Sequence, residues 1–199
     1  MRRAVVAALL LAGFIQPGLA DPCADKFVAV LTHSQKMKPA QAHIVTRMKG
    51  QPDGENEFLS VSADHFMVKP TKPKGPWYLT YDGVRYQSSD EGKTWQKQQS
   101  FDKAQAKADG IKLLTSQAAT VRNAVCSEEM LDGVKHETLA ADTTNLAPMK
   151  FEIHTKYWVD RAHDNFVTRS DTTMKTDSYE ILTIQTWKPA DGLTLPTPK

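Results

Sequence analysis

Four Asp-Gly pairs divide the sequence, and they constrain its fold more than any other feature. They occur at positions 53–54, 82–83, 132–133 and 191–192. An Asp-Gly pair accepts the positive φ angles of a two-residue hairpin turn, so a pair between two strand-like stretches predicts an antiparallel hairpin. The first three pairs lie between such stretches. We therefore predict a sheet in which neighbouring strands are joined by tight turns.

The stretches around these turns alternate in polarity with a period of two, as strands with one buried face do. The clearest example is residues 151–159, where one face carries Phe151, Ile153, Thr155, Tyr157 and Val159. About eight antiparallel strands are expected on this basis. They are predicted at residues 41–48, 58–69, 77–81, 84–88, 134–139, 151–159, 166–173 and 179–187.

Two segments have helical periodicity instead. Residues 24–38 form a short amphipathic helix that ends before Pro39. A longer helix is predicted to begin at Phe101, with Ser100 as its cap. Its apolar stripe contains Ala104, Ala108, Ile111, Leu114, Ala118, Val121 and Val125. The pattern predicts an α+β fold, in which one long and one short helix lie on the concave side of a curved antiparallel sheet, an unclosed β-barrel.

Residues 88–95, Ser-Ser-Asp-Glu-Gly-Lys-Thr-Trp, resemble the Asp-box pattern Ser-x-Asp-x-Gly-x-Thr-Trp. In that pattern the Ser and Asp side chains bind backbone groups of a hairpin turn, and glycine takes a left-handed conformation. Repeated copies would indicate a propeller, but the sequence has one copy and no period of about 40–50 residues. We interpret the segment as a single stabilised hairpin.

The N-terminus has the three parts of a secretory signal peptide. Two arginines precede an apolar run at residues 4–15, and the run is followed by small residues that end at Ala20. The run is shorter than the ~20 residues that a membrane-spanning helix needs, so we expect no stable membrane anchor. We predict that residues 1–20 are removed and that residues 21–199 form a single periplasmic or secreted domain, with an extended tail from about residue 189.

Cys23 and Cys126 are the two cysteines of the chain. An even number of cysteines in an exported protein favours a disulfide bond. A zinc pair and two buried free thiols remain open as alternatives. Removing residues 1–20 takes away two arginines and leaves 25 − 2 = 23 basic against 23 acidic side chains. A chain of near-zero net charge with interspersed signs is not expected to bind nucleic acid.

The sequence offers few residues for catalysis. Its six histidines show no H-E-x-x-H motif and no i,i+4 pair, and there is no G-x-S-x-G elbow, P-loop or Rossmann fingerprint. A metal site assembled from distant histidines remains open. The acidic pairs Glu128-Glu129 and Asp160 with Asp164 are expected in turns or beside them, as solvated carboxylates. We therefore predict no catalytic residue, no metal, no cofactor and no enzymatic activity.

A curved sheet whose helices do not fill its interior would enclose an apolar cavity. The alternative is a filled core, which is the more common role of large apolar residues. The candidate cavity residues are Phe58, Phe66, Met67, Trp77, Phe151, Ile153, Tyr157, Phe166 and Ile184.

The order of these elements resembles the LolA-type lipoprotein carriers. The cues are the signal peptide, the N-terminal helix, the strand meander with Tyr-Asp-Gly at 81–83, the central helix, and the segment Tyr-Trp-Val-Asp at 157–160 followed by Phe-Val-Thr-Arg at 166–169. The resemblance implies a half-barrel with a hydrophobic cavity and no cofactor. It also implies membrane-associated donor or acceptor proteins. Arg47 is the closest match to the arginine that some of these carriers place near the cavity mouth.

Two functions follow as hypotheses. The first is a soluble exported carrier or chaperone that binds a lipid, an acyl chain or a lipidated protein in an apolar cavity. The alternative is an exported protein-interaction module with a filled core and no ligand cavity.

Overall fold

The computed structural model describes residues 21–33, 38–145 and 150–198. The predicted signal segment lies outside these residues, and so does most of the loop expected around Pro148. The described residues form two α-helices, α1 (Pro22–His33) and α2 (Lys103–Ala118), and a 3-10 turn at Arg161–His163. The strands are β1 (Ala40–Met48), β2 (Gly54–Ser62), β3 (His65–Lys72), β4 (Trp77–Tyr81), β5 (Val84–Ser88), β6 (Gln96–Ser100), β7 (Arg122–Leu131), β8 (Val134–Asn145), β9 (Phe151–Asp160), β10 (Phe166–Lys175) and β11 (Glu180–Pro189).

All eleven strands belong to one antiparallel sheet, in the order β6-β5-β4-β3-β2-β1-β11-β10-β9-β8-β7. Two meanders, β1 to β6 and β7 to β11, are joined where β1 pairs with β11 and Ala42 lies opposite Trp187. Within the described residues β6 and β7 each pair on one side only, so the sheet is not closed into a barrel. The predicted fold class, a curved unclosed sheet with two helices, is confirmed.

The expected number of strands was too low, for three physical reasons. Residues 58–69 contain the hairpin of β2 and β3, which turns without a glycine. Strand β6 is polar and fully exposed, so it has no alternation to detect. Strand β7 was hidden because Val121 and Val125 continue the helical spacing of α2.

Helix α2 differs from the prediction at both ends. Its N-cap is Asp102, whose side chain accepts a hydrogen bond from the backbone N–H of Gln105, and the helix begins at Lys103 rather than Phe101. It ends at Ala118, and the chain then enters β7. The predicted cap was wrong because the backbone N–H of Phe101 instead binds the carbonyl of Gly83, which holds this residue beside β5.

Two of the three predicted Asp-Gly hairpin turns are found. Asp82-Gly83 and Asp132-Gly133 have positive φ angles at both residues, as a tight hairpin requires. The hairpin predicted around positions 53–54 is present as the antiparallel pair of β1 and β2, but Asp53-Gly54 does not form its tight turn because Gly54 already pairs in β2. There the chain reverses at Gly50, which has a φ of 79°.

The two faces of the sheet carry two separate cores. On the concave face, which the helices cover, the core contains Phe27, Leu31, Leu139, Ala141 and Val159. On the opposite, convex face the core contains Leu59, Met67 and Leu79, and it is covered by Trp95 and by the C-terminal tail through Leu193 and Leu195. The tail is further held where His65 Nε2 lies 3.1 Å from the carbonyl oxygen of Pro196.

A disulfide bond joins Cys23 to Cys126, as predicted. Cys126 lies on the concave face of β7, since it is paired with Leu139 of the concave core. The bond therefore fastens the start of α1 to the edge of the sheet, across 103 residues of sequence.

The Asp-box hairpin is formed as predicted. The Oγ atom of Ser88 accepts a hydrogen bond from the backbone N–H of Gly92 at 2.8 Å. Asp90 accepts from the backbone N–H of Thr94 at 2.9 Å and from the hydroxyl groups of Thr94 and Ser88. These bonds stabilise the carboxylate and lower the pKa of Asp90 to about 2.

We expect Gly92→Ala to lower the free energy of unfolding by about 1–3 kcal/mol. Gly92 has a φ of 87°, and a Cβ atom at this position would lie 3.1 Å from the Trp77 ring. Gly110→Ala is the matched control. It lies inside α2 with open space around it, so the same change should stabilise the protein by about 0.5–1 kcal/mol. Urea unfolding of both variants measures the difference, and equal effects would contradict this role of Gly92.

Candidate functional site

An open cleft of about 570 Å³ lies between α1 and the concave face of the sheet. Strands β8 to β11 and the start of β1 form its floor, and α1 forms one wall. The only contribution of α2 among the lining residues is Leu114. The apolar lining residues are Ala29, Val30, Leu31, Ala40, Leu114, Leu139, Tyr157, Val159, Phe166, Val167 and Trp187.

The cleft is open because α2 covers little of the sheet. None of the sixteen residues of α2 is buried. Its contacts are with α1 and β8, where Leu114 and Ala118 reach the concave core. Ile111 and Leu113 remain 41% and 46% exposed. The long helix therefore does not fill the space in front of β10, β11 and β1.

The polar groups in the floor are satisfied by one another. Gln185 Oε1 accepts a hydrogen bond from the indole N–H of Trp187 at 3.2 Å and lies 3.5 Å from Ser170 Oγ. Tyr157 is largely removed from water against Phe27, with ring centroids 5.3 Å apart, and desolvation raises the pKa of its phenol to about 12. The floor is therefore uncharged at neutral pH, which suits an apolar ligand.

A row of aromatic rings continues the apolar surface of the cleft floor across the sheet. The ring of Trp187 meets Phe58 edge-on at 5.7 Å, and Phe58 lies 5.5 Å from Phe66. Cross-strand pairing places these residues on the concave face of β11, β2 and β3. We call Trp187, Phe58 and Phe66 the aromatic row. Each ring is only partly buried, so the row presents apolar surface beside the cleft.

The mouth of the cleft is charged. The carboxylate of Glu137 accepts hydrogen bonds from Lys26 Nζ at 2.8 Å and from the guanidinium of Arg161. Burial alone would raise the pKa of Glu137, but the bonds and charges of Lys26 and Arg161 outweigh it and lower this pKa. A second ion pair, Lys38 with Asp164, lies on the same rim.

The nine predicted cavity residues fall into four groups, three of which lie on the concave face. Tyr157 and Phe166 line the cleft, and Phe58 and Phe66 belong to the aromatic row. Ile153 and Phe151 share the concave face but lie further along β9 and do not line the cleft.

The remaining three, Met67, Trp77 and Ile184, lie on the convex face. Met67 and Trp77 belong to the convex core. Ile184 neighbours Gln185 of the cleft floor, and successive residues of a strand point to opposite faces. The same alternation excludes Arg47 from the cleft mouth: it lies on the convex side of β1 and binds Asp53 at 3.1 Å.

Sequence reasoning missed the charged residues of the mouth. Lys26 and Glu137 are 111 residues apart, and Arg161 and Glu137 are 24 apart. No motif spacing connects positions this distant, so only the fold could bring them together. The polarity alternation in residues 134–139 places Glu137 and Leu139 on the same strand face. It was the one sequence pattern that pointed to this part of the cleft.

The other candidate residues for chemistry are dispersed. No group of three or more His, Cys, Asp or Glu side chains in the described part of the chain could hold a metal ion. Glu128 and Glu129 lie within β7, near its turn at Asp132-Gly133, and form ion pairs with Lys135 and Lys156. Asp160 caps the 3-10 turn, and its carboxylate binds His163. His136 is buried, and its Nδ1 atom lies 3.0 Å from the carbonyl oxygen of Val134.

Neither described helix combines the length and the apolar character that crossing a membrane requires.

The fold and the cleft together define an open antiparallel half-barrel with an apolar, charge-rimmed groove. No protein-family model and no curated protein matches the sequence. Among solved structures the chain is similar to a LolA superfamily protein from Nitrosomonas europaea, with 8% identity, a TM-score of 0.35, and coverage of 86% of this chain and 94% of that one.

Two further structures are similar to the same extent. A DUF1329 family protein from Desulfovibrio piger has 12% identity and a TM-score of 0.34, and the match covers 86% of this chain and 93% of that one. The hypothetical lipoprotein YmcC from Escherichia coli has 10% identity and a TM-score of 0.34, with coverage of 84% and 93%. The resemblance to LolA-type proteins is thus also found in structure, and it is a loose one.

Proposed function

We propose that this protein is an exported carrier that holds the acyl chain of a lipid or of a lipidated protein in the cleft. The observation that carries the proposal is the open apolar cleft of about 570 Å³ between α1 and the sheet. This volume is within the range of about 300–1,000 Å³ that is typical of ligand pockets. The aromatic row supplies further apolar surface next to it.

Burial of the chain supplies the affinity. Each Å² of apolar surface removed from water contributes ~25 cal/mol, so a chain that buries roughly 300 Å² gains about 7 kcal/mol before the costs of association. Affinity of this order suits a carrier, because cargo must be released as well as bound. The function needs no catalytic residue and no cofactor.

Export and exchange at membranes belong to the same proposal. The N-terminal sequence has the form of a signal peptide, and the Cys23–Cys126 bond suits an oxidising compartment. The carrier receives its cargo from one membrane-associated protein or bilayer and delivers it to another.

We expect Leu114→Trp to weaken binding of a fluorescent fatty acid about tenfold. Leu114 lines the cleft, and an indole there displaces part of the bound chain. Excluding about 60 Å² of chain from burial costs roughly 1.5 kcal/mol, which corresponds to about a tenfold loss. Fluorescence titration of the oxidised protein measures the dissociation constant.

Leu113→Trp is the matched control, since Leu113 is the preceding residue of α2 and does not line the cleft. It should bind the probe like the natural protein, and thermal unfolding of both variants checks that each is folded. Failure of the natural protein to take up the probe, together with no lipid found by mass spectrometry after extraction, would refute the proposal. Equal binding by both variants would place the ligand outside the cleft.

A second candidate, an exported protein-interaction module, is favoured by the hairpin of β7 and β8. Val125, Met130 and Val134 are large apolar residues that remain exposed there, and Met130 is 67% exposed. β7 is an edge strand of the sheet; Met130 lies on one face of the hairpin, and Val125 and Val134 lie on the other. The protein-interaction function is supported if the natural protein does not take up the fluorescent fatty acid and a cross-linker placed at Met130 recovers a specific partner.

A further inference from the structure

We infer that the cargo carries a negative charge on its head group, and that Lys26 and Arg161 bind this charge at the mouth of the cleft. The inference rests on the proposed function, because it names the class of amphiphile that the cleft takes. The class is an acyl chain that ends in a carboxylate or phosphate.

The first step is the imbalance of charge at the mouth. Lys26 and Arg161 share a single carboxylate, that of Glu137. The other ion pair on the rim, Lys38 with Asp164, is neutral as a whole. With His163 counted as neutral, the charged residues that line the cleft are three cations and two carboxylates, and the difference, 3 − 2, leaves one positive charge. Asp160 does not line the cleft; its carboxylate lies 2.7 Å from His163 Nδ1.

The second step is the position of the cations relative to the carboxylate. The side chain of Glu137 is only 14% exposed, whereas those of Lys26 and Arg161 are 46% and 52% exposed. The anion lies inside and the cations face outward. An ammonium has three N–H donors and a guanidinium has five, and among the described residues Arg161 gives one more bond, to Asn165. Both cations therefore keep donors for a ligand.

The third step is the length of the apolar path that begins at this mouth. From β10 to the aromatic ring of Phe66 on β3, the cleft floor and the neighbouring aromatic row together cross four strand spacings of about 4.8 Å, or about 19 Å. The hydrocarbon core of a bilayer is ~30 Å thick and is made of two leaflets, so one acyl chain is roughly 15 Å long. A head group held by Arg161 thus leaves room for the whole chain along the floor and the aromatic row.

The test compares three amphiphiles with the same chain and different heads: hexadecanoate, hexadecanol and hexadecyltrimethylammonium. Each displaces a bound neutral fluorescent probe at concentrations below its own aggregation threshold. We expect hexadecanoate to bind about tenfold more tightly than hexadecanol, because charge-assisted hydrogen bonds at a partly exposed site contribute on that scale. The ammonium compound should bind most weakly. Added salt should reduce the preference for the anion, since the mouth is open to solvent.

Three substitutions locate the effect. Arg161→Gln and Lys26→Gln should each reduce the preference for hexadecanoate over hexadecanol to about threefold or less. Glu137→Gln should increase it, because the two cations lose the carboxylate that neutralises one of them. Arg122→Gln is the matched control: Arg122 is an exposed arginine paired with Glu152 and does not line the cleft. Its preference should equal that of the natural protein.

The outcomes separate this inference from the proposed function. Equal binding of all three amphiphiles would overturn the inference and leave the carrier proposal standing, whereas binding of none would refute the carrier itself. A preference that survives both Arg161→Gln and Lys26→Gln would also overturn the inference. If Glu137→Gln does not fold, as judged by thermal unfolding, the two cation variants still decide the question.

Discussion

Replacement of both cysteines by serine, Cys23→Ser with Cys126→Ser, is expected to lower the free energy of unfolding by about 4 kcal/mol. The disulfide closes a loop with a sequence separation of 103 residues, so its loss releases a large amount of chain entropy in the unfolded state. The same bond fastens α1 to β7, and α1 is one wall of the cleft. Urea unfolding followed by circular dichroism measures the loss.

Reduction of the natural protein with dithiothreitol is the control for the serine substitutions. It should produce the same loss of stability, while the double serine variant should not respond to the reductant. A loss below about 1 kcal/mol would mean that the Phe27 and Leu31 contacts hold α1 without the bond, and that the unfolded chain is already compact.

The second large effect is expected from Phe27→Ala, which should lower the free energy of unfolding by about 3–5 kcal/mol. The Phe27 side chain is 1% exposed and packs in the concave core against Tyr157. Truncation to alanine removes its apolar contacts and leaves a cavity beneath α1, because the sheet below cannot move up to fill it. Chemical unfolding of the oxidised variant measures this effect.

Tyr179→Ala is the control for loss of an aromatic ring, because Tyr179 is exposed. It should change stability by no more than about 0.5 kcal/mol. A Phe27→Ala variant as stable as this control would show that α1 is held by its disulfide alone and that the concave core contributes little to folding.

Several parts of the fold followed from local patterns because their causes are local. The alternation in residues 151–159 assigned its concave residues correctly, since the period of a strand depends only on backbone geometry. The Asp-Gly turn at 82–83 and the hairpin at residues 88–95 depend on φ angles and on hydrogen bonds within a few residues. The even number of cysteines and the predicted export together favoured the disulfide bond that is found.

Other parts failed where one pattern could serve two structures. Val121 and Val125 fit the apolar stripe of a helix, yet Val125 lies in β7, where it is paired with Ala140 of β8. The sequence of β6 is polar and shows no alternation of apolar and polar residues. It forms a strand because its backbone pairs with the edge of β5. In both cases the neighbouring strand decided the outcome.

The candidate site shows the same division. Tyr157 and Phe166 were identified because large apolar residues on one face of a predicted strand must pack against something or enclose a space. Met67, Trp77 and Ile184 are equally apolar, and they lie on the other side because this sheet carries a second core under its C-terminal tail. When both faces of a sheet are covered, the apolar character of a residue does not show whether it lies on the concave or the convex face.

The amino-acid sequence alone was sufficient to predict antiparallel strands joined by tight turns and two helices, since propensity, alternation and turn chemistry act over short distances, and it favoured the disulfide bond through the even number of cysteines and the predicted export. Only the tertiary structure determined that α2 leaves the cleft open and that Lys26, Glu137 and Arg161 meet at its mouth. These features depend on how elements far apart in sequence pack together, and no local pattern encodes the space that remains between them.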